Sequence, residues 1–141
     1  MLTPSIPMKT SLFIPILGLL TISSPCAVKG QVVISEFMAS NTHTLADEDG
    51  EFTDWIEIHN AGSATVNLLD WSLTDDLTDP AQWRFPATNL QAGAYLVVFA
   101  SGKDRRTAGA WLHTNFRLSG RGDYLALVEP GGTTEIGRAH V

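Results

Sequence analysis

The sequence predicts an all-β domain, an antiparallel β-sandwich, on three observations. Short apolar segments recur with the period-two alternation of half-buried strands. Turn-forming residues interrupt them about every ten residues, and no stretch has convincing helical spacing. Four tryptophans and six phenylalanines suit the core of such a sandwich, since each buried aromatic removes a large apolar area from water.

The elements follow in chain order. Val32 to Ala39 is rich in β-branched and aromatic residues. After the acidic loop Leu45-Ala46-Asp47-Glu48-Asp49-Gly50-Glu51, Ile56 and Ile58 alternate with Trp55, Glu57 and His59, a strand with one buried face. Asn60-Ala61-Gly62-Ser63 supplies turn residues that tolerate positive φ, so Thr65 to Leu69 reads as the return strand of a hairpin. Trp71 to Thr74 is another short strand, closed by Asp75-Asp76, and Gln82 to Phe85 a third, ended by Pro86. Ala92-Gly93 turns into Tyr95-Leu96-Val97-Val98-Phe99, the most apolar segment and therefore a central strand. Asn115 to Leu118 and Tyr124 to Val128 flank the glycine-rich hairpin loop Ser119 to Asp123, and Pro130-Gly131-Gly132 leads to a last strand.

Both termini read as separate from this domain. Residues 1–30 have the features of a secretory signal peptide: Lys9, an apolar run from Leu12 to Leu20, small residues, and Val28-Lys29-Gly30 before a cleavage point. Met1 and Met8 are alternative starts, and the run, broken by Pro15 and Gly18, is too short to span a bilayer. Cys26 offers a lipoprotein alternative that Pro25 disfavours. The expected address is secreted or cell-envelope, with no transmembrane span in the mature chain. At the other end, Ile136 to Val141 is what ATCGGAAGAGCACACGTC encodes, a string resembling a common sequencing-library adapter. The expectation is a non-native tail at residues 136–141 on a truncated reading frame. Residues 31–135 remain, about 105 residues, enough for one domain with its own core. That domain contains no cysteine, which export permits.

Charge is distributed unevenly. Gln31 to Trp83 carries eleven acids and no Lys or Arg, whereas Arg84 to Glu135 carries six bases and four acids. The asymmetry predicts one acidic end and one mixed end. The excess of nine acids disfavours broad nucleic-acid binding, which depends on neutralising phosphates. Lys103-Asp104-Arg105-Arg106 is the basic cluster and reads as a solvated loop.

Several runs resemble one family. Ser35-Glu36-Phe37-Met38-Ala39-Ser40-Asn41, Asp54 to Asn60, Leu69 to Asp75, Trp83-Arg84-Phe85-Pro86, Gly93 to Ser101 and His113 to Ser119 stand in the order of the lamin tail domain, in its bacterial exported form. The resemblance covers nearly all of Val32 to Thr134. It implies an immunoglobulin-like sandwich, a non-catalytic role as an interaction module, and frequent attachment to hydrolases or surface domains.

The candidate sites are few. Asp47, Asp49, Glu51 and Asp54 are candidate Ca²⁺ ligands, since that hard cation takes loop carboxylates. The spacing is not that of an EF-hand, because Gly50 comes fourth from Asp47 and Ile58 stands where a bidentate Glu would be. Asp75, Asp76 and Asp79 form a second acidic group. Glu36 and Glu57 both lie in strands, but alternation turns Glu57 away from the Ile56/Ile58 face, toward a structural role over acid–base chemistry. No G-x-S-x-G elbow accompanies the serines, and His43, His59 and His113 read as scattered surface or hairpin residues. Arg121-Gly122-Asp123 spells an adhesion tripeptide, though a turn explains its glycine. The chain therefore reads as a non-enzymatic extracellular module of a larger exported protein, with a protein or surface partner. The alternatives are an accessory part of a hydrolase and a Ca²⁺-stabilised structural or adhesive surface protein.

Overall fold

The structure is a computed structural model that describes residues 32–120, 124–131 and 135–140. The expected signal peptide and the tripeptide Arg121-Gly122-Asp123 lie outside the described residues. The strands are β1 (Val32–Met38), β2 (Asp54–Asn60), β3 (Val66–Asn67), β4 (Ser72–Thr74) and β5 (Trp83–Arg84). They continue with β6 (Asn89–Leu90), β7 (Tyr95–Ala100), β8 (Leu112–His113), β9 (Tyr124–Val128) and β10 (Glu135–His140). No helix occurs among the described residues.

One sheet has the order β1-β2-β7-β8, a second β10-β9-β4-β5, and a small third pairs β3 with β6. Ile56 and Ile58 of β2, Val98 of β7 and Leu112 of β8 share one buried core with Leu73 of β4, Trp83 of β5 and Leu125 and Leu127 of β9. Burying each such side chain contributes about 1.5–3 kcal/mol. β1 meets β10 where the two large sheets approach at one side. The pairing of β10 uses main-chain groups of residues the sequence suggested were a foreign tail.

A register irregularity between Ile34 and Glu36 explains how β1 fits. Ile34 and Phe37 are three residues apart and would face opposite sides of a regular strand. The extra residue, Ser35, restores them both to the core side, where they pack against the buried cluster.

Three expectations about pairing need correction. Residues 65–69 do not return against β2; β3 pairs with β6 instead, while β2 lies between β1 and β7. The connection is made by the side chain of Asn60, not by positive φ. Its Oδ1 accepts Gly62 N–H (3.0 Å), and its Nδ2 donates to Ala64 O (2.8 Å) and Leu90 O (2.9 Å). Residues 115–118 form no hairpin with β9, which pairs with β4 and β10. Phe116 and Leu118 are buried as irregular chain, and the strand before them is β8. Finally, β8 runs parallel to β7, so the sandwich is not wholly antiparallel.

Candidate functional site

The loop between β1 and β2 is built around two buried polar side chains. Asn41 Nδ2 donates to Leu45 O (2.7 Å) and Thr53 O (2.9 Å), while its Oδ1 accepts Thr44 N–H (3.0 Å). Asp47 Oδ1 accepts the N–H groups of Asp49 (3.0 Å) and Glu51 (3.0 Å), folding the acidic run into a turn. Gly50 closes that turn with φ 79°, a conformation other residues adopt only at a cost.

A second loop, following β7, supplies the countercharge. Lys103 Nζ donates to Asp47 Oδ2 and to Asp49 Oδ2 (2.7 Å), and lies 2.8 Å from Glu51 Oε2. Arg105 reaches Glu48 through Nη1 and Asp49 through Nη2 (2.7 Å). Hydrogen bonds from Arg105 and then Lys103 hold the Asp49 carboxyl down at about 2. Desolvation pushes Asp47 upward, but the Lys103 ammonium and two backbone N–H groups outweigh it and keep its pKa below the ordinary value. Glu48 is also lowered, its desolvation outweighed chiefly by the bond to His113. The expected solvated basic loop is therefore engaged at Lys103 and Arg105, and the acidic run is partly neutralised by its own chain.

The Ca²⁺ candidates divide. Asp47, Asp49 and Glu51 do converge, with oxygens within 4.8 Å of one another, but the Lys103 ammonium stands among them. Asp54 lies apart from this group and accepts the N–H of Asn41 on Oδ1 (3.0 Å). In the second acidic group, Asp76 Oδ1 accepts Thr78 N–H (2.8 Å) and Asp79 Oδ1 accepts Ala81 N–H (3.2 Å). Both are turn-forming contacts.

His113 corrects the sequence reading most sharply, since it is fully buried, at 0 % exposure, and not a surface residue. Ser101 Oγ lies 2.8 Å from its Nδ1, and Glu48 Oε2 lies 2.7 Å from its Nε2. An ionised carboxylate only accepts, so Nε2 carries the proton in this pair. The serine–histidine–glutamate order matches that of a nucleophile, base and orienting acid. Ser101, however, is 1 % exposed, and its Oγ also accepts Lys103 N–H (3.2 Å). Ser101 helps line a recess of about 130 Å³ with Phe52, Asp54 and Arg117, yet only 1 % of its surface is exposed there. The chain of bonds therefore ties the end of β7, β8 and the acidic loop together. Residues 48, 101 and 113 are too far apart in sequence for spacing to reveal it.

Beside this network lies an apolar cleft of about 330 Å³, lined by Leu45, Leu96, Val97, Phe99, Ala110 and Trp111. Trp111 is 50 % exposed and stacks on Phe99 with ring centroids 5.5 Å apart and planes 8° from parallel. Phe99 in turn stacks on His113 at 5.3 Å. Glu57, as expected, faces away from the core, and Ser35 Oγ donates to its Oε1 (2.7 Å). His59 stacks on Tyr95 at 4.1 Å, and His43 is exposed.

Among the described residues, no helix is long and apolar enough to cross a membrane. No curated protein matches the chain. A family model described as Lamin Tail Domain matches residues 25–139. With the two-sheet architecture, that match identifies the chain as a member of the lamin tail domain family.

Proposed function

We propose that this domain is a non-catalytic, extracytoplasmic contact module of a larger exported protein, holding a protein or surface partner at the Trp111 cleft. Family membership supplies the coarser part, an immunoglobulin-like interaction module of a non-enzymatic fold family. One contrast carries the finer part. The serine and histidine of that chain are buried, at 1 % and 0 % exposure, whereas a tryptophan half-open to solvent caps an apolar cleft nearby. Exposed aromatics beside apolar recesses are where interfaces concentrate binding energy. The signal-peptide features of residues 1–30 support export, and the same module would serve an attached hydrolase as an accessory. Lys103 and Arg105 are committed to carboxylates, which together with the acidic excess disfavours a nucleic-acid partner.

The test is retention of fluorescently labelled domain on washed cells of the source organism, compared with Trp111→Ala. Retention that falls roughly tenfold with the variant supports the reading. Equal retention of both proteins, or none of either, contradicts it.

A second reading, Ca²⁺ stabilisation of the acidic loop in a structural or adhesive role, is favoured by the convergence of Asp47, Asp49 and Glu51. Ca²⁺ would have to displace Lys103. A rise in the unfolding midpoint in millimolar Ca²⁺ supports that exchange, and an unmoved midpoint removes it.

A further inference from the structure

We propose that the open edge of β7 beside the Trp111 cleft is a strand-addition groove, and that its occupant is an extended partner peptide alternating apolar with basic residues. This deepens the contact-module reading and rests on it.

The first observation is an incomplete sheet. β8 pairs only with Val98 and Phe99, whereas β2 pairs along β7 from Tyr95 to Ala100. Tyr95, Leu96 and Val97 therefore have no described strand on the β8 side. Phe99 O accepts Thr114 N–H (2.9 Å), so the main-chain groups of Phe99 face that side. Main-chain polar groups alternate direction along a strand, so those of Val97 and Tyr95 face the same way; the Val98–Leu112 pairing takes the Val97 carbonyl, which leaves the Val97 N–H and both main-chain groups of Tyr95 toward the gap. Unpaired main-chain groups at a sheet edge are a template for another strand.

The second observation is the cleft, which opens beside this edge between Leu96, Val97 and Trp111. A peptide extending the line of β8 places alternate side chains on one face, and one apolar side chain enters the cleft against the Trp111 ring. The third is charge. Leu45, on the cleft wall, leads into the acidic loop, and Glu48 bonds to His113, which stacks on Phe99 beneath Trp111. Four carboxylates there (Asp47, Glu48, Asp49 and Glu51) face two cations, Lys103 and Arg105. Glu51 and Asp49 have side chains 62 % and 41 % exposed. The surplus favours Lys or Arg flanking the apolar residue, and it disfavours an acidic peptide or anionic polymer.

The experiment is selection of phage-displayed random linear peptides on the domain, with subtraction against Trp111→Ala. The expected winners alternate apolar residues with Lys or Arg. A synthetic winner should bind the variant roughly tenfold or more weakly, and N-methylation of its alternate amides should abolish binding. In ¹⁵N spectra it should slow amide exchange at Tyr95 and Val97. An unchanged unfolding midpoint verifies that Trp111→Ala folds, and Leu45→Asp on the opposite wall replaces it if it does not. Three results overturn the proposal: no enrichment over the variant, enrichment of acidic peptides, or full binding by the N-methylated peptide. Cell retention that depends on Trp111 without any peptide enrichment defeats the groove but spares the contact module. Loss of both defeats both.

Discussion

Asp47 is the residue on which the acidic loop depends. Its two oxygens divide the work, one accepting the turn's N–H groups and the other the Lys103 ammonium, with the side chain fully buried. Removing one partner of a buried pair leaves the other charge uncompensated. Asp47→Ala is expected to destabilise the domain by about 3 kcal/mol, read from urea unfolding. In a double-mutant cycle with Lys103→Met, the two losses should fall short of additivity by about 1–3 kcal/mol. Additive losses would mean the contact carries no coupling. Acid should act on the same residues. Asp47, Glu48 and Asp49 have lowered carboxyl pKa values in the folded state, so the stability they contribute is present above their ordinary values and lost as pH falls. For Asp49 the window runs from the ordinary 3.8 down to about 2. Stability should fall through that window, and less steeply in Asp49→Asn.

At the scale of elements, the sequence shows strands better than it shows their partners. Alternation at Ile56 and Ile58 and the apolar run at Tyr95 to Phe99 identified β2 and β7, because their side chains carry the pattern. Pairing depends on contacts between distant segments, so the return of residues 65–69 to β6 was invisible. So were β6 and β8, which are two residues each. Turn chemistry was read correctly at Gly93, with φ 73°, but misassigned at Asn60, where a buried amide replaces a positive φ. Asn60→Ala leaves the carbonyl of buried Leu90 without that donor, at a cost of about 1–3 kcal/mol, and frees the carbonyl of exposed Ala64 to water. A loss of about 2 kcal/mol or more is expected from thermal or urea unfolding. Asn60→Asp, which sets a carboxylate against those carbonyls, should lose at least as much.

For the whole molecule, the charge pattern was legible as an imbalance but not as an arrangement. Acids of the first half and bases of the second meet across the loops after β1 and β7, so the expected acidic and mixed ends partly cancel where they touch. The candidate site was hidden for the same reason. Asp47, Asp49 and Glu51 drew notice as a run, whereas Trp111, Leu45 and the uncovered edge of β7 share no sequence signature. What the fold presents at this corner is an ion-paired wall beside an apolar opening, a geometry suited to holding a partner. The most direct test places a photo-crosslinking residue at Trp111 in the full protein in its native cells, with Leu69, 50 % exposed in the turn before β4, as the control position. The account predicts a discrete adduct from position 111 and none from position 69. Adducts from position 69 alone, or identical adducts from both, would contradict it.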